Sequence, residues 1–142
     1  EYEKRRDENA RVCTQYNVPF IELEYDNGRW CQAVTGLENE PERGRRCSIC
    51  FHLRLKRVRE YAKANGFTAV GSVLGVSRYK NLAQVNEMAA KASAETGVAY
   101  VEIEGRKGGM QELRNQLVKE LKLYNQDYCG CQPRIAKEIN DS

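Results

Sequence analysis

The chain contains 142 residues, of which 41% are hydrophobic and 30% are charged, and its formal net charge is +3. This length fits about one domain with a single core, and no apolar run approaches the roughly 20 residues that span a bilayer. The small net charge gives no overall attraction to polyanions, and six cysteines without a secretory signal favour metal or redox chemistry in a cytoplasmic protein over a disulfide scaffold.

Hydrophobic periodicity predicts an alternation of helices and strands along the chain. In order, the pattern predicts a helix at 2–15, a strand at 19–25, a helical turn around Trp30, a helix at 48–65, a strand at 67–76 buried on both faces, a helix at 82–96, a strand at 98–104 and a last helix around 113–121. Ser48 is the predicted N-cap of its helix, and Gly66 and Gly97 end helices. The alternation predicts an α/β fold with a parallel sheet.

Four cysteines form two tight pairs. Cys47 and Cys50 make a C-x-x-C motif at a predicted helix start, where the free N–H groups of the first turn favour thiolates. Cys129 and Cys131 flank Gly130, which lets the backbone turn so that both sulfurs face one way. Thiolates are ligands for zinc, copper(I) and iron–sulfur clusters. Buried apolar cysteines are an open alternative, although the polar, arginine-rich surroundings favour metal.

Other chemically active residues have simpler interpretations. Cys13 lies on the inward face of a predicted helix and Cys31 has no partner at ligand spacing, so both are interpreted as packed thiols. His52 follows Cys50 on the same predicted helix, where an ordinary helix position is favoured over a ligand role. The loop at 105–109, GRKGG, could cradle a phosphate but matches no nucleotide-binding fingerprint.

Positive charge is concentrated in residues 43–59, which contain seven Lys or Arg and no Asp or Glu. A segment of this kind usually forms a solvated helix face. A focused basic face also binds phosphate backbones, so charge alone leaves both interpretations open.

Five stretches, in this order and spacing, together resemble one family: EYEKRRDEN, EPERGRRCSICFHLRL, GVSRYKNLAQVNE, GRKGG and LYNQDYCGC. The family is the metal-dependent, cobalamin-independent epoxyqueuosine reductase called QueH. The similarity extends over residues 1 to about 131. Its most specific parts are EPERG-x-RC-x-x-CF-x-x-RL and YCGC.

The resemblance implies an oxidoreductase of tRNA modification. Its substrate would be tRNA carrying epoxyqueuosine at the anticodon wobble position, and reduction of the epoxide to an alkene would give queuosine and water. The resemblance also implies a 4Fe-4S cluster and an additional iron ion, with electrons from a donor that the sequence does not identify. By the matching motifs, the metal ligands would be Cys47, Cys50, Cys129 and Cys131.

The resemblance further implies a nucleotide-hydrolase-like (Rossmann-like), doubly wound fold in a single domain of residues 1–142. In such folds the loops after Tyr25, Leu74 and Glu104 would line one cleft. Family members begin with a strand and a cysteine-rich turn, so we expect this chain to be N-terminally incomplete and its metal site to need further ligands. Glu104 and Gly105 stand where an NW-like pair is common, and the family usually has a serine near Val118.

Further candidates follow from the same comparison. Asp26 is the candidate iron ligand or proton donor, because the family pattern has an acidic or polar residue there, and a strand-end cap is an equally open role. Glu42 is as well suited to a structural ion pair as to catalysis. The candidates for phosphate contacts are Arg43, Arg45, Arg46, Arg54, Arg57 and Lys80.

A second hypothesis is that the chain is a non-catalytic, zinc-stapled RNA-binding module, in which the same four cysteines bind zinc and the same arginines bind RNA. The C-G-C pair disfavours this reading, since structural zinc sites usually present C-x-x-C knuckles on both sides.

Overall fold

The computed structural model describes residues 1–126 and 129–131 of the chain. Its elements are α1 (Tyr2–Gln15), α2 (Asn27–Ala33), α3 (Arg45–Ala64), β1 (Ala69–Gly71), a 3-10 turn (Leu74–Val76), α4 (Leu82–Thr96), β2 (Ala99–Val101) and α5 (Met110–Glu120). The strands pair in parallel, with Val70 opposite Tyr100, which confirms the predicted α/β class. Within the described residues, none of the helices combines the length and the apolar character needed to cross a bilayer.

The chain divides into two compact units, one made of residues 27–111 and the other of residues 1–26 with the described residues after 111. In the 27–111 unit, α3 packs along α4, and the sheet packs against both. The core of this unit consists of buried side chains from the two helices: Phe51, Leu55, Val85, Ala89 and Ala92. A fully buried large apolar side chain contributes about 1.5–3 kcal/mol, so the α3–α4 seam is the main source of stability in this unit.

The start of α3 differs from the prediction. Ser48 lies inside the helix, and the N-cap is Gly44. The carboxylate of Glu40 accepts the free N–H of Arg45 at 3.1 Å, so it does the work that was predicted for the serine hydroxyl. A Cβ atom on Gly44 would lie 2.6 Å from that carboxylate and 3.0 Å from the Pro41 carbonyl, so a larger residue would disturb this cap. Gly97 ends α4 with a φ of 74°, as predicted.

Both strands are shorter and more exposed than predicted. Only the central residues, Val70 and Tyr100, are partly buried, and the residues on either side of them are exposed. The prediction of a strand buried on both faces is therefore wrong, because the helices of this unit cover one face of the sheet. A doubly wound sheet in a single domain stays a prediction.

The unit that contains α1 has no regular structure at residues 18–26, so the predicted strand at 19–25 is wrong. A strand needs a neighbour for its backbone N–H and C=O groups, and the described residues of this unit include no strand. Side chains hold the segment instead. The rings of Tyr25 and Tyr2 stack with centroids 4.1 Å apart, and the Tyr2 hydroxyl donates to Glu22 at 2.8 Å.

Glu95 of α4 links the two core helices. Its carboxylate lies 2.9 Å from His52 Nε2 and 3.5 Å from Lys56 Nζ, which gives His52 a structural role on its helix. Burial raises the pKa of Glu95, but the hydrogen bonds and electrostatic interactions with His52 and Lys56 outweigh it, so this pKa lies below its ordinary value.

We expect Glu95→Gln to melt at a lower temperature than the wild type at pH 7. A carboxyl with a lowered folded-state pKa stabilises the protein above its unfolded pKa of about 4.3, and the contribution disappears as the pH falls through the folded pKa. The difference in melting temperature should therefore shrink below about pH 4. Thermal unfolding at a series of pH values measures it, and a difference that grows toward acid pH would contradict the assignment.

Candidate functional site

Three loops of the 27–111 unit meet at the carboxyl ends of the strands: residues 40–44 before α3, residues 72–81 after β1 and residues 102–109 after β2. The last two pack closely, because a Cβ atom added to buried Gly105 would lie 2.5 Å from Val76. A bulky residue therefore has no room at position 105 in this packing. The expected meeting of the loops after Leu74 and Glu104 is confirmed, whereas a place for the loop after Tyr25 in the same cleft stays a prediction.

Arg43 ties the first loop to the second. Its Nε and Nη2 atoms donate to the carbonyls of Tyr79 and Arg78, both at 3.1 Å. The backbone of Arg43 has a φ of +68°, a conformation that costs an L-residue about 1–2 kcal/mol. The same backbone contributes its N–H to Cys47 Sγ at 3.4 Å. One residue thus holds both a loop and a cysteine sulfur.

Arg106 ties the third loop to the second. Its guanidinium donates to the carbonyls of Gly75 at 2.7 Å and of Ser77 and Lys80 at 2.6 Å each. The side-chain amide of Gln111 also donates to the carbonyl of Val76 in the second loop and to that of Gly105 in the third. These side chains supply the donors that loop carbonyls lack when no ladder or helix pairs them.

Gln84 of α4 is a further connector that the sequence did not single out. Its amide nitrogen lies 3.0 Å from the carbonyl oxygen of Arg43, 3.1 Å from that of Gly44 and 2.7 Å from Ser48 Oγ. The signal was its position beside the apolar stripe of α4, where a partly buried amide needs partners. Gln84 therefore docks the start of α3 onto α4.

Cys47 and Cys50 lie in the first two turns of α3, and both are partly buried free thiols. The side chain of Cys47 packs against the core cluster while its sulfur accepts the N–H of Arg43. The packing against the core explains in part why a small apolar side chain stands at position 47. Packing alone does not require the hydrogen bond from Arg43 to the sulfur.

Cys129 and Cys131 belong to the other unit, where the turn between them depends on Gly130. This glycine has a φ of +98°, so it takes a conformation that L side chains rarely adopt. The N–H of Cys131 donates to Cys129 Sγ at 3.4 Å, and Arg5 of α1 donates to the Cys129 carbonyl at 2.8 Å. The predicted tight turn is confirmed.

Both pairs therefore offer a sulfur that already accepts a backbone N–H, and such bonds tune the thiolate ligands of metal centres. The two free thiols of each pair are suited to bind a metal ion. Over residues 1–126 and 129–131, no group of three or more His, Cys, Asp or Glu is placed to hold a metal ion. Each pair thus fits part of a ligand set, and the assignment of all four cysteines as ligands stays a prediction.

Asp26 is exposed and directly precedes α2. Because residues 18–26 form no strand, its proposed role as a strand-end cap is wrong. Its role as an iron ligand or proton donor stays a prediction.

Two of the arginines predicted to contact phosphate also hold the main chain. Besides Arg43, Arg46 donates through Nη1 to the carbonyls of Leu37, Glu38 and Glu40, at 2.9, 3.2 and 2.8 Å. These hydrogen bonds explain why an arginine stands at each of the two positions, and the explanation does not require a phosphate contact. The charge pattern could not separate such internal arginines from surface ones.

Among the other candidates, Arg45 and Arg54 are exposed and Arg57 is partly so. The Lys80 side chain is largely buried, with Nζ 3.9 Å from Glu42 and 5.8 Å from the centre of the Phe51 ring. Glu42 therefore has the ion-pair partner considered for it. Phosphate contacts of these residues stay a prediction.

An open cleft of about 440 Å³ lies at the carboxyl end of β1. Its walls are Arg54, Leu55 and Val58 of α3, residues 71–74 and Ile103. Arg54 follows Cys50 by about one helical turn, so the cleft opens beside the first cysteine pair. A mostly apolar cleft with one exposed arginine at its wall can hold a ring that carries a nearby anionic group.

Residues 1–134 match the family model described as epoxyqueuosine reductase QueH. The curated relatives include the epoxyqueuosine reductases QueH of Acinetobacter baylyi, 39% identical over 92% of this chain and 61% of the relative, and of Haemophilus influenzae, 38% identical over 92% of this chain and 54% of the relative. The one from Thermotoga maritima is 31% identical, with 92% of this chain and 70% of the relative covered. The chain thus spans about half to two-thirds of the length of these relatives.

Proposed function

The chain belongs to the epoxyqueuosine reductase QueH family, and we propose that the protein reduces epoxyqueuosine in tRNA to queuosine. Because several relatives are much longer than this chain, the activity is proposed for the whole protein, to which these residues contribute the strand-end cleft and two cysteine pairs. An enzyme of tRNA modification would act in the cytoplasm, where its substrate lies.

The observation that carries the proposal is the C-x-x-C pair beside the cleft. Cys47 Sγ accepts the N–H of Arg43, and the cleft begins about two turns further along the same helix, at Arg54. A thiol held in this way is suited to ligation as a thiolate, and the adjoining apolar wall is suited to a substrate ring. Ligand and substrate positions therefore lie on one rigid helix.

The reaction has a defined balance. Conversion of the epoxide to an alkene consumes two electrons and two protons, breaks both C–O bonds and releases the oxygen as water. The electrons would come from an external one-electron donor. We propose Cys47, Cys50, Cys129 and Cys131 as ligands of a 4Fe-4S cluster and an additional iron, which when bound supply one-electron transfer and a Lewis acid for the epoxide oxygen.

The residues of the chain position and enclose the substrate. Leu55, Val58 and Val73 line the cleft and would pack against the cyclopentane ring. The exposed guanidinium of Arg54 would bind a phosphate of the RNA. Asp26 is the proposed proton donor or iron ligand.

Anaerobically purified protein tests the proposal. We expect it to contain iron and sulfide and, with a chemical one-electron reductant, to convert epoxyqueuosine to queuosine in isolated tRNA, measured by mass spectrometry of the nucleosides as the loss of one oxygen atom. Protein with stoichiometric zinc, no iron and no conversion would contradict it. That outcome would favour a zinc-stapled RNA-binding module.

A further inference from the structure

We propose that Tyr79, in the loop after β1, is a stacking platform for an unpaired nucleobase of the RNA. The inference rests on the proposed function, because it requires an RNA substrate. It adds a binding residue to the three-loop site, at a position where no cysteine or phosphate contact was expected.

The first observation is the exposure of the ring. The Tyr79 side chain is 75% exposed, so packing within the described part of the chain does not explain it. A single exposed aromatic residue is common on protein surfaces and would carry no inference by itself.

The second observation is that the backbone under this ring is held from three sides. Arg43 binds the carbonyls of Arg78 and Tyr79, and Arg106 binds those of Ser77 and Lys80. The N–H of Tyr79 itself donates to Ser77 Oγ at 3.3 Å. Only the two side-chain torsions of the tyrosine remain to be ordered when a ligand binds, which keeps the entropic cost of stacking low.

The third observation is the charge around the loop. Arg43, Arg78, Lys80 and Arg106 all lie within or against it, and Glu42 is paired with one of them at 3.9 Å. Sites for single-stranded nucleic acid combine such positive surroundings with an aromatic ring, since every base offers a face for stacking. This combination favours a nucleic-acid base over an apolar segment of a protein as the partner of Tyr79.

The fourth observation places the ring near the proposed chemistry. Arg43 contacts both the Tyr79 carbonyl and, through its own N–H, the sulfur of Cys47. The loop that carries Tyr79 is therefore joined through one residue to the first proposed metal ligand. Stacking there would hold the neighbouring nucleotide of the anticodon loop splayed out.

The test compares binding of a fluorescently labelled anticodon stem-loop RNA by anisotropy at several salt concentrations. We expect Tyr79→Ala to weaken binding roughly 5- to 100-fold and Tyr79→Phe to stay within about twofold of the wild type, because stacking needs the ring and not the hydroxyl. The salt dependence of Tyr79→Ala should be unchanged, whereas Arg54→Gln should lower the slope of log K against log salt by about one. The matched control is Tyr16→Ala, an exposed tyrosine of the other unit, with unchanged affinity expected.

The outcomes separate this inference from the proposed function. Wild-type protein that binds the RNA together with an equally tight Tyr79→Ala variant would overturn the stacking role alone. A Tyr79→Phe variant as weak as the alanine variant would also overturn it, since a hydroxyl contact would then be responsible. A melting temperature lowered only in Tyr79→Ala would assign the ring to protein packing. Wild-type protein that fails to bind the RNA would overturn both proposals.

Discussion

Replacement of Cys129 by alanine is expected to lower the rate of epoxyqueuosine reduction by more than about 100-fold, since even the residues that support metal ligands typically change activity 10- to 100-fold. The side chain is exposed, so its loss should leave the fold intact. The N–H of Cys131 would lose its sulfur acceptor, but at an exposed turn water can replace it. Iron content should fall along with activity.

The measurement is conversion of epoxyqueuosine-containing tRNA at equal protein concentration, with circular dichroism as a check on folding. Cys31→Ala is the matched control, because Cys31 has no cysteine at ligand spacing and is also exposed, so its interpretation as a packed thiol is wrong. Activity of Cys129→Ala equal to that of this control would mean that the C-G-C pair has a structural role only.

The second large effect is expected on stability. Arg106→Ala should lower the free energy of unfolding by about 3 kcal/mol, because three part-buried carbonyls lose a charged hydrogen-bond donor at once. Arg106→Lys should recover only part of the loss, since one ammonium cannot reproduce the planar fork that reaches Gly75, Ser77 and Lys80 together.

Urea-induced unfolding of the wild type and these variants measures the difference. Arg114→Ala is a suitable control, because this exposed arginine of α5 donates to the adjacent Asn115 side chain at 3.0 Å. A loss in Arg106→Ala no larger than that of the control would show that water replaces the guanidinium without cost.

Helices were the most predictable elements because their signals are local. The apolar stripe of α4 and its stop at Gly97 depend on residues within a few turns of each other, and α1 matched its predicted range. The cap of α3 was not predictable in the same way. Its acceptor is the carboxylate of Glu40, in the preceding loop, and not the serine that a short-range capping pattern favours.

Strands were less predictable because they depend on neighbours that are distant in the chain. The alternation in residues 19–25 suits a strand, yet the described part of that unit supplies none to pair with it. In β1, the run of apolar residues indicated burial on two faces, although the helices cover only one. Periodicity describes which side chains share a face and does not tell what covers that face.

At the site, motifs predicted which residues matter better than what each one does. The seven positive charges at 43–59 were consistent with a solvated or phosphate-binding face, but Arg59 is fully buried, donates to the Leu55 carbonyl at 2.9 Å and lies 5.2 Å from the centre of the Tyr100 ring. The sequence shows which side chains are charged. Tertiary packing decides which carbonyl or aromatic ring each charged side chain contacts.

The hydrogen bonds from Arg43 and Arg106 to loop carbonyls affect how the site can change during evolution. Arg43 and Arg106 recognise carbonyl oxygens, which every amino acid carries, so substitutions at positions 78 and 79 leave the bonds to these carbonyls available. The loop can therefore change its side chains while the arginines keep its path. Selection can then act on the side chain at position 79 for the nucleotide it meets, with little cost to folding.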